Sequence, residues 1–140
     1  MYRTLEYLSG ISDSDVARLR AAGIRHTNQL LHRASLDIDR TRLSKKTGIS
    51  KARLFEFVNQ CTLLEVSGME RWVQLVRRLG ITSMGDLRAQ DAKGLHSRLV
   101  ESIGLAGAPR VTDVEYWIGQ ASGLDIVEEP EPEKVLPVIE

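Results

Sequence analysis

Apolar positions recur along the chain at helical spacing, and no stretch shows the sustained alternation of a strand bounded by hairpin turns. Val16, Leu19 and Ala22 step along one face behind Ser12, which makes a capping-box signature with Asp15, and Gly23 closes that helix. A short helix follows through Leu30 and Leu31. Arg40 to Thr47 predicts a helix stopped by Gly48. Ser50 then caps a stronger one, with Leu54, Phe57, Val58, Cys61 and Leu64 on a single stripe. Trp72, Val73, Val76 and Leu79 mark another, closed by Gly80, and Ser83 with Asp86 opens the next. Leu95, Leu99 and Ile103 continue the pattern, Gly104 to Pro109 reads as a loop, and Thr112 or Asp113 caps a last helix carrying Val114, Trp117, Ile118, Ala121 and Leu124. The expected fold is all-α, a compact helical domain.

The helices repeat. Val16 to Ile24 superposes on Val73 to Ile81 at a constant offset of 57, and the same offset carries Leu30 onto Leu87. A repeat of this length indicates duplicated supersecondary units that bury their apolar faces against each other. The expected organisation is one domain over residues 1–124, with units at about 5–35 and 64–103, a central helical insert at 39–63 and a closing helix at 112–124. Residues 125–140 form an acidic Pro/Glu tail whose Glu-Glu-Pro-Glu-Pro-Glu run at 128–133 is expected to be disordered.

Composition narrows the class. With 42% hydrophobic residues in 140, the chain can bury a core without metal or disulfides, and its one cysteine, Cys61, excludes an internal disulfide. No apolar run reaches the roughly 18 to 20 residues of a membrane span, and the first residues lack a signal peptide's basic start and apolar stretch. A cytoplasmic location is expected. Net charge is zero but unevenly placed: the tail holds six acids against Lys134, and the remaining 124 residues hold 18 basic and 13 acidic side chains. A moderately basic body with an acidic tail hints at nucleic-acid contact, although a solubilising tail on an ordinary surface gives the same figures.

Each unit combines an apolar–Gly–apolar turn, an amphipathic helix, a Gly-Ile and a short helix. This resembles the helix-hairpin-helix, whose glycine turn presents backbone N–H groups to a phosphate and so reads the backbone of a nucleic acid rather than its bases. More closely, the chain resembles the bacterial and archaeal family called domain of unknown function 4332. The residues carrying this likeness are Leu8-Ser9-Gly10-Ile11, Ala22-Gly23-Ile24, Leu43 to Ser50, Phe57-Val58-Asn59, Leu79-Gly80-Ile81-Thr82 and Val114 to Ile118. The resemblance covers roughly residues 1 to 124 and implies a tandem helix-hairpin-helix-like fold around a central insert, with no established activity. Two departures bear on phosphate binding. The first turn, Gly10-Ile11-Ser12, lacks a second glycine and is followed by Asp13 and Asp15, which repel an anion. The second, Val66-Ser67-Gly68-Met69, precedes Glu70, with Arg71 in partial compensation.

The central block from Leu43 to Val58 also reads like a helix-turn-helix, and Arg40, Arg42, Lys45, Lys46, Lys51 and Arg53 fall in a stretch without acids. The candidate nucleic-acid-binding residues are these six with Gly10, Gly68 and Arg71; a solvated helical face is the plainer reading of the same cluster. Signals for catalysis are weak. His26, His32 and His96 are scattered, with no zinc-ligand spacing beside the lone Cys61, which lies on an apolar stripe. Trp72 and Trp117 sit on amphipathic faces, no carboxylate pair stands out, and the glycines make no nucleotide fingerprint. No enzyme activity, cofactor, metal, membrane contact or small-molecule substrate is expected. Two partner classes remain: DNA or RNA backbone, with the tail competing for the basic surface, or a protein that takes the 125–140 tail as a linear motif, with Val135 to Ile139 as its apolar end.

Overall fold

The computed structural model describes residues 2–124 and Glu128; the expectations for the rest of the tail lie outside these residues. After a 3-10 turn at Leu5–Tyr7, the helices are α1 (Asp13–Ala21), α2 (Thr27–Ala34), α3 (Asp37–Thr47), α4 (Lys51–Leu64), α5 (Val73–Arg78), α6 (Met84–Arg88), α7 (Ala92–Ile103) and α8 (Val111–Gly123). The described residues form an all-helical fold with no strands, and Thr4 and His26 make an isolated bridge.

The capping chemistry expected from the sequence is in place. Ser12 and Asp15 form a reciprocal capping box on α1, and Ser50 and Ser83 accept from Arg53 N and Asp86 N. Such a cap stabilises a helix by about 1 kcal/mol. Gly48 ends α3 at φ +77, where a side chain is strained. The last helix begins slightly early, at Val111, with Asp113 accepting from Arg110 N. Trp72 precedes α5 instead of lying within it, and Ile103 at the end of α7 is exposed.

Two apolar cores divide the chain. One gathers buried side chains from Leu5 to Cys61, the other from Leu63 to Ala121. Helix α2 packs on α4 and α3 in the first half, as α6 packs on α8 and α7 packs on α8 in the second. Leu54, Phe57, Val58 and Cys61 of α4 find their counterparts in Val114, Trp117, Ile118 and Ala121 of α8, 60 positions on. The segment expected as an insert at 39–63 is thus matched: α3 and α4 correspond to α7 and α8, and the duplicated unit is a whole half of the domain. The halves meet where α4 touches α5 and α6, and Tyr7, packed against both cores, donates its hydroxyl to Glu70 O.

Candidate nucleic-acid interface

The two Ser-Gly turns are built alike. Gly10 and Gly68 adopt φ +83 and +84, conformations that glycine enters without Cβ strain. In the first turn, Gln60 of α4 accepts from Ser9 N at 2.8 Å and donates to Ser9 O at 3.0 Å. In the second, Gln120 of α8 accepts from Ser67 N at 2.9 Å and donates to Ser67 O at 3.1 Å. A carboxamide carries one acceptor and two donors on a planar group, so it can satisfy both backbone atoms of one residue, as a strand neighbour would.

The first turn is further closed by charge. Asp15 accepts from Ser12 N at 3.0 Å and pairs through both oxygens with Arg53, which also donates to Gly10 O at 3.1 Å. Hydrogen bonding from Arg53, reinforced by Ser12 against the opposing effect of burial, holds the Asp15 carboxyl at about 2. The amides of Ser9 and Ser12, on either side of Gly10, are therefore taken by the protein's own side chains. An incoming phosphate would have to displace Gln60 and Asp15.

The basic cluster divides. Arg40 is 1% exposed; its guanidinium donates to Ala34 O and Ser35 O at 3.0 and 2.8 Å and lies over the Phe55 ring. Its expected phosphate contact is corrected on this ground: it satisfies carbonyls at the end of α2 and is inaccessible to a ligand. Arg53 is committed to Asp15 and Gly10 and rests over Phe57, and Lys51 pairs with Asp37 at 2.8 Å. Arg42, Lys45 and Lys46 remain exposed on α3. Arg42 and Lys46 join Arg33 of α2, Asp39 and Leu43 around a depression of about 210 Å³. Nearby, Arg33 donates to Ala22 O at 3.3 Å.

Around the second turn, Ser67, Gly68, Arg71, Trp72, Asp113, Tyr116 and Trp117 line a pocket of about 420 Å³. Arg71 lies over the Trp72 ring, whose centroid is 6.3 Å from that of Trp117. Arg53 of the first half corresponds in position to Asp113 of the second, and this exchange of sign leaves the second turn without the closing Asp15–Arg53 pair. At the start of α6, the Glu128 carboxylate accepts from Met84 N, Gly85 N and Thr62 Oγ1 at 2.6, 2.9 and 3.4 Å.

Residues 9–124 match the family model described as a domain of unknown function, DUF4332. The chain belongs to the DUF4332 family. The DUF4332 match opens at Ser9, inside the first clamped turn, and runs past Gln120, so it takes in both Ser-Gln clamps and both halves. No curated protein and no solved structure matches the chain. Among the described residues of this DUF4332 domain, no helix is long and apolar enough to cross a membrane. Its cysteine is buried, and burial pushes the Cys61 thiol well up from its usual range.

Sequence reasoning missed Gln60, Gln120, Arg33 and Glu128. A signal for the first two was present: Ser9 and Gln60 recur as Ser67 and Gln120 at nearly the offset of the helices.

Proposed function

We propose that this chain is a non-catalytic binding module that holds the phosphate backbone of DNA or RNA without reading base sequence. The observation that carries the reading is the convergence of Arg33, Arg42 and Lys46 on one depression, with exposed Lys45 beside them and Asp39 as the one acid among the described residues of its lining. Guanidinium and ammonium groups gathered on one helical face suit phosphates spaced along a strand, and such contacts position a ligand without specifying it. The turns are read as degenerate helix-hairpin-helix units whose amides have been turned inward by Gln60, Gln120 and Asp15, so contact has moved from the turns to α3. A protonated, buried Cys61 thiol gives no nucleophile, which supports a binding role over catalysis. A single unpaired thiol also suits a reducing compartment such as the cytoplasm.

Fluorescence anisotropy with mixed-sequence DNA and RNA at two salt concentrations tests this. Three phosphate contacts predict an affinity drop of roughly 40-fold between 50 and 200 mM salt. Arg42→Ala with Lys46→Ala should flatten that slope, and deletion of residues 125–140 should tighten binding if the acidic tail competes for the same face. Absence of binding at 50 mM salt rejects the proposal.

A protein partner is the second reading, favoured by the pocket beside Gly68. Tyr116 stands 60% exposed there, beside Trp72 and Arg71, and aromatic and arginine side chains are enriched where proteins anchor one another. On that reading the 125–140 tail is a second contact, nucleic acid gives no shift at 50 mM salt, and Tyr116→Ala weakens the complex while Lys46→Ala does not.

A further inference from the structure

Helix α5 ends in Arg77-Arg78, and basic residues in a last turn are ordinarily explained by the helix dipole. That explanation leaves the half-buried position of Arg77 unaccounted for. Arg77 carries five N–H donors, and among the described residues it makes one hydrogen bond, from Nη1 to Gln74 Oε1 at 3.0 Å. Its Nε is buried with no acceptor among the described residues. No carboxylate among them lies within ion-pairing distance of Arg77 or Arg78. Burial pulls the Arg77 pKa down, with the field of Glu56 acting the other way. A partly desolvated guanidinium without a counter-ion is costly, and in folded proteins such groups are ordinarily paired.

The surroundings show where an anion would sit. Ser9, Gln74, Arg77 and Arg78 line a pocket of about 330 Å³, with no acid among the described residues of its lining. Gln74 Nε2 donates to Gln60 Oε1 at 2.9 Å, and Gln60 in turn donates to Ser9 O, so a chain of carboxamides fixes Arg77 relative to the first turn. The other repeat sharpens the point. At the helical offset of 57, Arg77 corresponds to Arg20, and Arg20 is neutralised by both oxygens of Glu6 at 3.0 Å. Where the second half would place an equivalent of Glu6, at the offset of 58 that relates the Ser-Gly turns, it has Leu64. The acid is lost in the repeat whose arginine faces the pocket.

We propose that this pocket, between the first turn and the end of α5, is a seat for one phosphate group, with the Arg77 and Arg78 guanidiniums as its charged donors and Gln74 and Ser9 as its neutral rim. An arginine fork matches two phosphate oxygens at once, which a lysine cannot do. The ligand is defined by that chemistry, supplied either by a nucleic-acid backbone or by a free or small-molecule phosphate. The site stands apart from the α3 face and does not depend on it.

The test is an NMR titration of the full ¹⁵N-labelled chain with inorganic phosphate against chloride at constant ionic strength, following the Arg77 Nε–H and Gln74 side-chain amide. Saturable shifts at these groups are expected. Arg78→Ala, at an exposed position, should weaken phosphate about tenfold, and Arg77→Lys should weaken it while keeping the charge. The midpoint of the phosphate-dependent shifts at Arg77 Nε–H and the Gln74 amide should be the same in Arg42→Glu with Lys46→Glu, whatever that variant loses on the α3 face, which separates the two sites. Competition by a mixed-sequence oligonucleotide identifies the backbone as the source, and phosphate binding without competition identifies a free or small-molecule phosphate. Linear, non-saturating shifts, or saturable ones unaltered in Arg78→Ala, overturn the proposal.

Discussion

Arg53 on α4 reaches back to Asp15 on α1, 38 positions earlier, with Nη1 at 2.9 Å from Oδ1 and Nη2 on the other oxygen. The pair ties the start of α4 to the start of α1, and through Gly10 O it fixes the turn that leads into α1. Asp15 also caps its own helix, so one nearly inaccessible carboxylate serves both local and long-range structure.

Acid should therefore weaken the fold through Asp15. Its carboxyl titrates at about 2 in the folded chain against 3.8 unfolded, so the unfolded state takes up the proton first. The stabilisation is fully present above pH 4 and is lost as pH falls through 2, a contribution of about 2 kcal/mol. Urea denaturation at pH 7 and pH 2.5 measures it. Asp15→Asn should cost on the order of 2 kcal/mol at pH 7 and remove most of the difference between the two pH values. An unchanged pH dependence in that variant would assign acid sensitivity to other carboxylates.

Arg40 gives a contrasting expectation within the basic cluster. Replacing it with alanine leaves the carbonyls of Ala34 and Ser35 without their donor and opens space over Phe55. A loss of about 2–4 kcal/mol is expected, from unsatisfied carbonyls together with a cavity. Lys45→Ala or Lys46→Ala, on the exposed side of the same helix, should move stability by no more than about 0.5 kcal/mol. Thermal melts of the three variants decide whether the cluster divides between packing and surface as the burial indicates.

Periodicity and capping made most of the helices legible, because Ser12, Ser50, Ser83 and the glycines at 23, 48 and 80 act on their immediate neighbours. The candidate site was less legible. A run of six cations without acids from 40 to 53 reads as one patch, yet its acids come from elsewhere in the chain: Asp15 to Arg53 and Asp37 to Lys51. Which cations stay free depends on tertiary contacts that linear spacing does not encode. Arg40 falls on the inner face of α3 beside Leu43, where α2 ends, and its burial follows from that packing. The repeat was visible as a sequence offset, but its extent was not. Helices α3 and α7 share few residue identities, and the loop after Gly104 is longer than the one after Gly48, which hid the match between α4 and α8.

The Ser-Gln clamps should differ in strength despite their shared geometry. Gln60 is fully buried, whereas Gln120 is partly exposed and its hydrogen bonds compete with water. Gln60→Ala should cost about 2–3 kcal/mol, since Ser9 N, Ser9 O and Gln74 all lose a partner, and Gln120→Ala about 1 kcal/mol or less. Chemical denaturation of both variants reads the difference. Equal losses would mean that solvent does not reach the second turn.

Glu128 sits at the start of α6, where Met84 N and Gly85 N donate to its two oxygens. Ser83 already accepts from Asp86 N, so the carboxylate satisfies the remaining first-turn donors, and the buried Thr62 hydroxyl reaches the same oxygen as Met84 N. A carboxylate on unpaired helix amides is favoured both by hydrogen bonding and by the helix dipole, although five residues give α6 only a small dipole. Glu128→Gln keeps one acceptor and removes the charge; Glu128→Ala removes both. Amide hydrogen exchange at Met84 and Gly85 should quicken about tenfold in the alanine variant and by less in the glutamine one, while the amides of α1, in the other half, stay unchanged. Equal exchange in wild type and Glu128→Ala would show that the carboxylate does not protect these amides, and α6 would then depend on Ser83 alone for its cap.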